Sequence, residues 1–292
     1  MAADKRSAFA ARIRRREWTS LPGIFEMISA RIADSMGFPA LYMTGYGVVA
    51  SYLGVPDAGL ATYSDMRDRV AKFAEICTTP FIADGDTGYG GLLNLARTVK
   101  GYESAGAAGI QLEDQQFPKK CGHTPGRRVI PLEEAAAKIR CAVESRDSKD
   151  FLIVARTDAR GLHGLDEALK RGEAFAKAGA DVLFIESPQS VEEMEKIGRA
   201  FKGQPLVANM VEGGLTPVLP VKELERIGYS MAIYPGTAFL AMGAVVRKAY
   251  EHIQRTGSSI GAPVPLEDFK EFSKLMGFQD VWDFEKKWAG LG

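Results

Sequence analysis

The chain has 292 residues, 46% hydrophobic and 25% charged, an ordinary globular composition that excludes disorder and fibrous repeats. Lys plus Arg and Asp plus Glu both total 37, so no global charge favours nucleic acid or an anionic membrane as partner. Three cysteines, Cys77, Cys121 and Cys141, make no fully paired disulfide framework and lack metal-site spacing, which fits a reducing compartment.

The opening segment MAADKRSAFAARIRRREW is basic and alanine-rich. It is read as a surface helix. An organelle transit segment is the alternative, against which Asp4 and Glu17 count. No apolar stretch follows of the kind a secretory signal needs, and no later segment nears the roughly 18 apolar residues of a membrane span. A soluble, cytoplasmic protein is expected.

Beyond this start, short apolar runs rich in β-branched residues alternate with amphipathic stretches of helical length. In chain order these predict strand Leu21–Phe25, helix Met27–Met36, strand Ala40–Met43, helix Ser64–Ile76, strand Phe81–Asp84, helix Leu92–Ala105, strand Gly109–Glu113 and helix Leu132–Glu144. The series continues with strand Phe151–Arg156, helix Leu165–Ala178, strand Val182–Glu186, helix Val191–Ala200, strand Leu206–Asn209, helix Val221–Ile227, strand Met231–Tyr234 and a last helix from Ala238 to about Arg255. Most of the helices end near Gly or Pro, and Ala105-Gly106-Ala107 and Ala178-Gly179-Ala180 each lead from a helix into a strand. The alternation predicts parallel strands with crossover helices, and eight such units in this length predict a closed (β/α)8 barrel.

The barrel with its N-terminal helix is assigned to residues 1–255, and residues 256–292 form the linker TGSSIGAPVP and a further amphipathic segment. Phe269, Phe272, Leu275, Met276, Trp282 and Phe284 give that segment more apolar surface than a free tail would expose. It packs either on its own barrel or on a neighbouring subunit.

Chemistry in such a barrel sits at the C-terminal ends of the strands. There the sequence places Thr44-Gly45-Tyr46, Asp84-Gly85-Asp86, Glu113-Asp114, Arg156-Thr157-Asp158, Glu186 and Asn209, each after an apolar run. A convergence of Asp84, Asp86, Glu113 and Asp57 is unfavourable unless a cation neutralises it. Hard oxygen ligands, with no His or Cys suitably spaced, indicate Mg²⁺ or Mn²⁺ over zinc. The plainer reading of Asp84-Gly85-Asp86 is a cap on the following turn.

After the fourth strand, QQFPKKCGHTPGRR is too long for a minimal connection and gathers Lys119, Lys120, Cys121, His123, Arg127 and Arg128. The flanking lysines and histidine should favour thiolate at Cys121 and make it an acid–base group. Cys77 and Cys141, each on a helix, are read as inert. His163 has surface and ligand readings, and His252 on the last long helix is read as structural. Gly88-Tyr89-Gly90-Gly91 lacks the Lys-Ser/Thr of a phosphate loop.

Lys119-Lys120-Cys121-Gly122-His123, preceded by Asp84-Gly85-Asp86-Thr87-Gly88-Tyr89-Gly90, resembles the isocitrate lyase and phosphoenolpyruvate mutase superfamily. GVPDAGL around Asp57, VARTDA around Arg156 and ANMVEGGLTP around Asn209 extend the resemblance over nearly the whole chain. It implies a barrel whose C-terminal helix is exchanged with a neighbour in a homotetramer. It also implies Mg²⁺ held directly by Asp84, with Asp86, Glu113 and Asp57 acting largely through water. Substrate carboxylates would be bound by Thr44, Gly45 and Tyr46, by Gly122 and His123, and by Arg156 and Asn209, with Glu186 at the substrate or supporting it.

The KKCGH cysteine resembles lyases more than phosphonate-processing members. What the resemblance implies is the short lyase branch of 2,3-dimethylmalate lyase, petal death protein, 2-methylisocitrate lyase and oxaloacetate hydrolase types. Thr44-Gly45-Tyr46-Gly47 and Glu212-Gly213-Gly214 are more similar to the first two. Tyr46 would fill the space of a third substrate carboxylate.

The expected reaction is Mg²⁺-dependent carbon–carbon cleavage of a 2-hydroxy-dicarboxylate to a 2-oxo acid such as pyruvate and a carboxylic acid. Cys121 would protonate an enediolate stabilised by Lys119, His123 and Arg156. The base at the C2 hydroxyl is left open between Tyr42, Glu186 and a water positioned by Asp57. Oxaloacetate hydrolysis or decarboxylation, phosphonomutase chemistry and a catalytically silent metabolite-binding barrel are the alternatives.

Overall fold

The computed structural model describes residues 2–289; Met1 and residues 290–292, the end of the expected tail segment, lie outside the described residues. Eight strands form one parallel sheet: β1 (Thr19–Ile24), β2 (Leu41–Met43), β3 (Phe81–Asp84), β4 (Gly109–Glu113), β5 (Leu152–Thr157), β6 (Val182–Ile185), β7 (Val207–Asn209) and β8 (Met231–Tyr234). Neighbours in sequence are neighbours in space, β8 returns to pair with β1, and a parallel bridge between Leu183 and Leu206 joins β6 to the approach of β7. This is the expected (β/α)8 barrel, with strand ends displaced by one or two residues; β1, for instance, begins at Thr19. The predicted Gly punctuation holds, since Gly106 and Gly179 both take left-handed φ, 107° and 98°, where a side chain would be strained.

Strand side chains alternate between two cores. Ile110, Leu112, Ile153, Ala155, Leu183 and Ile185 face the surrounding helices, whereas Ile82, Leu152, Val154, Val182, Phe184, Met231 and Ile233 fill the barrel interior. The same two-residue step carries Tyr42, Asp84, Gln111, Glu113, Arg156, Glu186 and Asn209 onto the interior side at the C-terminal mouth. The strand register thus gathers them before any loop contributes.

The opposite end is plugged. Helix Ala2–Arg14 buries Phe9, Ala10 and Ile13 against the interior residues at the strand starts, including Leu21, Leu152 and Met231. A helix here was expected, but only one of its faces is surface. Burial of Ile13 alone stabilises by about 1.5–3 kcal/mol. Two short helices were not foreseen: Gly45–Leu53 directly after β2, and Arg160–His163 after β5. Both begin at the barrel mouth.

By internal packing the chain divides into Met1–Thr237 and Ala238–Gly292, so most of helix Thr237–Thr256 belongs with the tail and the division falls earlier than residue 255. Within the second unit, buried His252 places Nε2 2.9 Å from the Ile260 carbonyl, a structural role. Helices Phe269–Leu275 and Phe278–Trp288 leave Phe269, Phe284 and Trp282 exposed. Among the described residues no helix is long and apolar enough to cross a membrane.

Candidate active site

Asp84 ends β3 and turns back on itself: its Oδ1 accepts the Asp86 N–H at 3.0 Å, with Asp86 at φ 48° in the left-handed region. The cap reading of Asp84-Gly85-Asp86 is therefore satisfied by one oxygen. Oδ2 faces Gly45, where an added Cβ would stand only 2.5 Å away. Gly45 opens helix Gly45–Leu53, whose N-cap Thr44 accepts the Gly47 N–H through its side chain. A helix N-terminus at the mouth offers free N–H groups to an anion, which is what bound carboxylates need. Tyr46, in the first turn, is 42% exposed at the mouth.

Lys119 comes from the long loop after β4 and is almost fully buried. Its ammonium stands 2.5 Å from Asp57 and 2.6 Å from Asp86. Burial alone would depress its pKa, but Asp86, Asp57, Glu113 and Asp84 together hold it well above the usual lysine range. The sequence reading put Lys119 at the reacting enediolate. The structure spends its charge on the carboxylates instead.

Glu113 ends β4 with Oε2 3.4 Å from Arg156 Nε, while its buried Oε1 has no hydrogen-bond partner. Burial pushes this carboxyl well above its usual range, with Arg156 opposing. Among the described residues no three His, Cys, Asp or Glu side chains converge closely enough to grip an ion directly. Asp84 Oδ2, turned toward Gly45, and the unpartnered buried Glu113 Oε1 nevertheless fit a cation held by one carboxylate and reached by others through water, as Mg²⁺ commonly is.

Arg156, at the end of β5, lies over the Phe184 ring and donates to Asp158 from both Nε and Nη2, at 2.9 and 3.0 Å. Its Nη2 is also 3.3 Å from Glu186 Oε2. Glu186 accepts from the Asn209 amide at 3.0 Å and from its neighbour's backbone N–H, Ser187, at 2.7 Å. Ser187 takes φ 58° to do so, a strained position that also lets its hydroxyl bond the Gly122 carbonyl. The buried Oδ1 of Asn209 has no hydrogen-bond partner among the described residues.

His123 Nδ1 accepts the Leu215 N–H at 3.2 Å, and its Nε2 lies 3.3 Å from the Asn209 amide nitrogen and 3.6 Å from Glu186. Cys121, half-buried, has its backbone N–H on the Asp57 carbonyl. Burial pushes its thiol above the usual range by more than the His123 backbone N–H lowers it. Burial thus works against the expected thiolate, and Lys119 is paired with Asp57 and Asp86. Cys77 lies at a helix end with its thiol pushed up to about 12 by burial, in keeping with an inert group.

Tyr42 on β2 donates to Gln111 Oε1 at 2.9 Å, and burial together with Asp84 raises its phenol well above the usual range. Its hydroxyl is held in place as a donor beside the carboxylates of the mouth. His163 is exposed.

Four residues of the mouth were given no role from sequence: Gln111 and Ser187, which went unnamed, and Arg127 and Asp158, which were placed but not paired. Gln111 was legible, since it stands two residues before Glu113 and shares its face. Asp158 and Arg127 meet at 2.9 Å across 31 residues, a contact no local pattern announces.

The profile of the phosphoenolpyruvate phosphomutase family matches residues 9–254. A 2,3-dimethylmalate lyase of Eubacterium barkeri is 45% identical over 268 residues, 92% of either chain. The chain belongs to the phosphoenolpyruvate mutase/isocitrate lyase superfamily. Within that superfamily, the petal death protein of Dianthus caryophyllus is 37% identical, over 93% of this chain and 85% of its own. Among solved structures, an oxaloacetate acetylhydrolase bound to 3,3-difluorooxalacetate superposes with TM-score 0.90 at 34% identity, covering 97% of both chains. A phosphonopyruvate hydrolase, solved with oxalate and Mg²⁺, superposes with TM-score 0.87 at 29% identity and 99% coverage of both. The superfamily and the carbon–carbon lyase class read from the sequence are borne out.

Proposed function

We propose that this protein is a Mg²⁺-dependent, cytoplasmic lyase that cleaves a 2-hydroxy-dicarboxylate of the 2,3-dimethylmalate or 2-alkylmalate type. The products are a 2-oxo acid such as pyruvate and a carboxylic acid. The observation that carries the reading is the seating of the Cys121 loop on the Arg156–Glu186 pair, where a Cβ at Gly122 would collide with Arg156 Nη2 and stand 3.0 Å from Glu186 Oε2. Similarity to the 2,3-dimethylmalate lyase supports the substrate class.

Asp84 would hold Mg²⁺, with Asp86, Glu113 and Asp57 reaching it through water. When bound, the ion polarises the C2 oxygen and the neighbouring carboxylate. The protein supplies the remaining steps. Carboxylates are received by the N-terminus of helix Gly45–Leu53 with Thr44, Gly45 and Tyr46, and by Gly122, His123, Arg156 and Asn209. Glu186, or a water positioned by Asp57, takes the proton from the C2 hydroxyl, and the C2–C3 bonding pair passes to C3 as the C2 carbonyl forms.

The resulting enediolate is met by Arg156 and His123. Cys121 then donates its proton to C3, and the thiolate regains one from solvent. Lys119 keeps the nearby carboxylates from repelling the dianionic substrate.

A second reading, hydrolysis of oxaloacetate to oxalate and acetate, is favoured by the superposition on oxaloacetate acetylhydrolase. An assay that follows both 2-oxo acid and oxalate released from 2,3-dimethylmalate, 2-alkylmalates, 2-methylisocitrate and oxaloacetate tests both. Pyruvate from an alkylmalate supports the lyase. Oxalate from oxaloacetate alone selects the hydrolase.

We further propose a homotetramer in which residues 256–292 pack on a neighbouring subunit. The support is the exposure of Phe269 at 83% and Phe284 at 64%, more than a soluble surface leaves uncovered.

A further inference from the structure

The loop that carries Cys121 leaves β4 and returns to helix Leu132–Ser145. Its outgoing limb is tied down by Lys119 and by the Cys121 N–H on the Asp57 carbonyl. Its return limb carries one buried charge, Arg127, only 9% exposed. Arg127 Nη1 donates at 2.9 Å to Asp158 Oδ1, the same oxygen that accepts Arg156 Nη2 at 3.0 Å.

Two glycines make room for this arrangement. A Cβ at Gly161 would stand 2.9 Å from Arg127 Nη2, so the guanidinium lies in a slot between Asp158 and helix Arg160–His163. A Cβ at Gly122 would collide with Arg156 Nη2, so the loop rests directly on the second arginine. Asp158 is itself held from behind. Its backbone N–H donates to Asp114, which also accepts Thr157 and Arg171.

We infer that Arg127 is a positioning residue: through their shared Asp158 it couples the seating of the Cys121 loop to the orientation of Arg156. With Arg127 docked, Asp158 is pinned by two cations and one backbone N–H, and the Arg156 fork is fixed in the plane that meets Gly122 and Glu186. Without it, the return limb keeps only its backbone ties, Gln116 N–H to the Arg128 carbonyl and Ile130 N–H to the Asp114 carbonyl, and Asp158 can follow Arg156. Arg156 still pairs with Asp158 when Arg127 is removed, so the buried carboxylate is not left alone and the barrel keeps its fold. As a statement about turnover the inference rests on the lyase reading; as a statement about the loop it does not.

The test uses R127A, R127K and G161A in the full chain. N-Ethylmaleimide modification of Cys121, Cys77 and Cys141 is followed in one sample by peptide mass spectrometry, and pyruvate release is measured alongside. R127A and G161A should each raise the Cys121 rate, by roughly ten- to a hundredfold in R127A, the scale of one charge-assisted hydrogen bond, with Cys77 and Cys141 unchanged. In R127A kcat should fall on the same scale with KM altered far less, and R127K should restore part of both readouts.

An unchanged Cys121 rate in R127A and G161A overturns the proposal, as does a uniform rise at all three cysteines, which reports general loosening. Wild-type kcat in R127A overturns the link to Arg156. If the wild-type chain cleaves no alkylmalate, the lyase reading fails while the modification rates still decide whether Arg127 anchors the loop.

Discussion

Gly122 and Arg156 are in such close approach that no side chain fits between them: a Cβ at Gly122 would collide with Arg156 Nη2 and stand 3.0 Å from Glu186 Cγ and Oε2. The cysteine loop and the end of β5 thus form one surface. G122A should lose activity without losing stability, since Gly122 is not among the residues with left-handed φ. A fall of about a hundredfold in kcat/KM, equivalent to about 2.7 kcal/mol, is expected by steady-state kinetics, with an unchanged melting temperature.

Cys121 should act as an acid. C121S and C121A are expected to keep product binding by calorimetry and to lose turnover by orders of magnitude. Because burial raises the thiol, activity should fall only as pH rises through a value above the ordinary cysteine range. A basic limb near neutrality would mean that the thiolate dominates and that another group donates the proton.

Chelation should silence the enzyme. EDTA is expected to abolish pyruvate release and added Mg²⁺ to restore it. D84A should lose the thermal stabilisation that Mg²⁺ gives the wild-type chain. Full activity after rigorous chelation would remove the metal from the reaction.

Asp158 is a stability element as well as a positioning one. Burial alone would raise its pKa, but Arg156 and Arg127 hold it below the usual range. A folded pKa below the unfolded value of about 3.9 gives stability that is full above that value and lost as pH falls through the folded one. D158N leaves two buried cations without their carboxylate and should cost about 3–5 kcal/mol in urea denaturation at pH 7. The gap between variant and wild type should narrow on acidification toward pH 3.

The tail should govern assembly. Trp282→Asp with Phe284→Asp is expected to convert a tetramer to smaller species by light scattering, while far-ultraviolet dichroism stays that of the barrel. An unchanged mass would place those side chains outside the contact.

The barrel, its eight strands and the carboxylates of its mouth were legible in the sequence because they follow from local physics. A two-residue alternation decides which side chains face inward, helix stops mark each crossover, and the strand ends name Asp84, Glu113, Arg156, Glu186 and Asn209. Gln111 obeys the same step but carries no charge to mark it. Tertiary structure decided what those groups do to each other. Lys119 could be placed near Cys121 by sequence, but only the fold brings Asp57 and Asp86 within 2.6 Å of its ammonium and so removes it from the thiol. The thiol in turn is pushed up by burial, which depends on everything packed around it and which no neighbouring letter encodes. Arg127 and Asp158 likewise meet only when the loop closes over β5, for a contact between distant residues belongs to the path of the chain and not to its pattern.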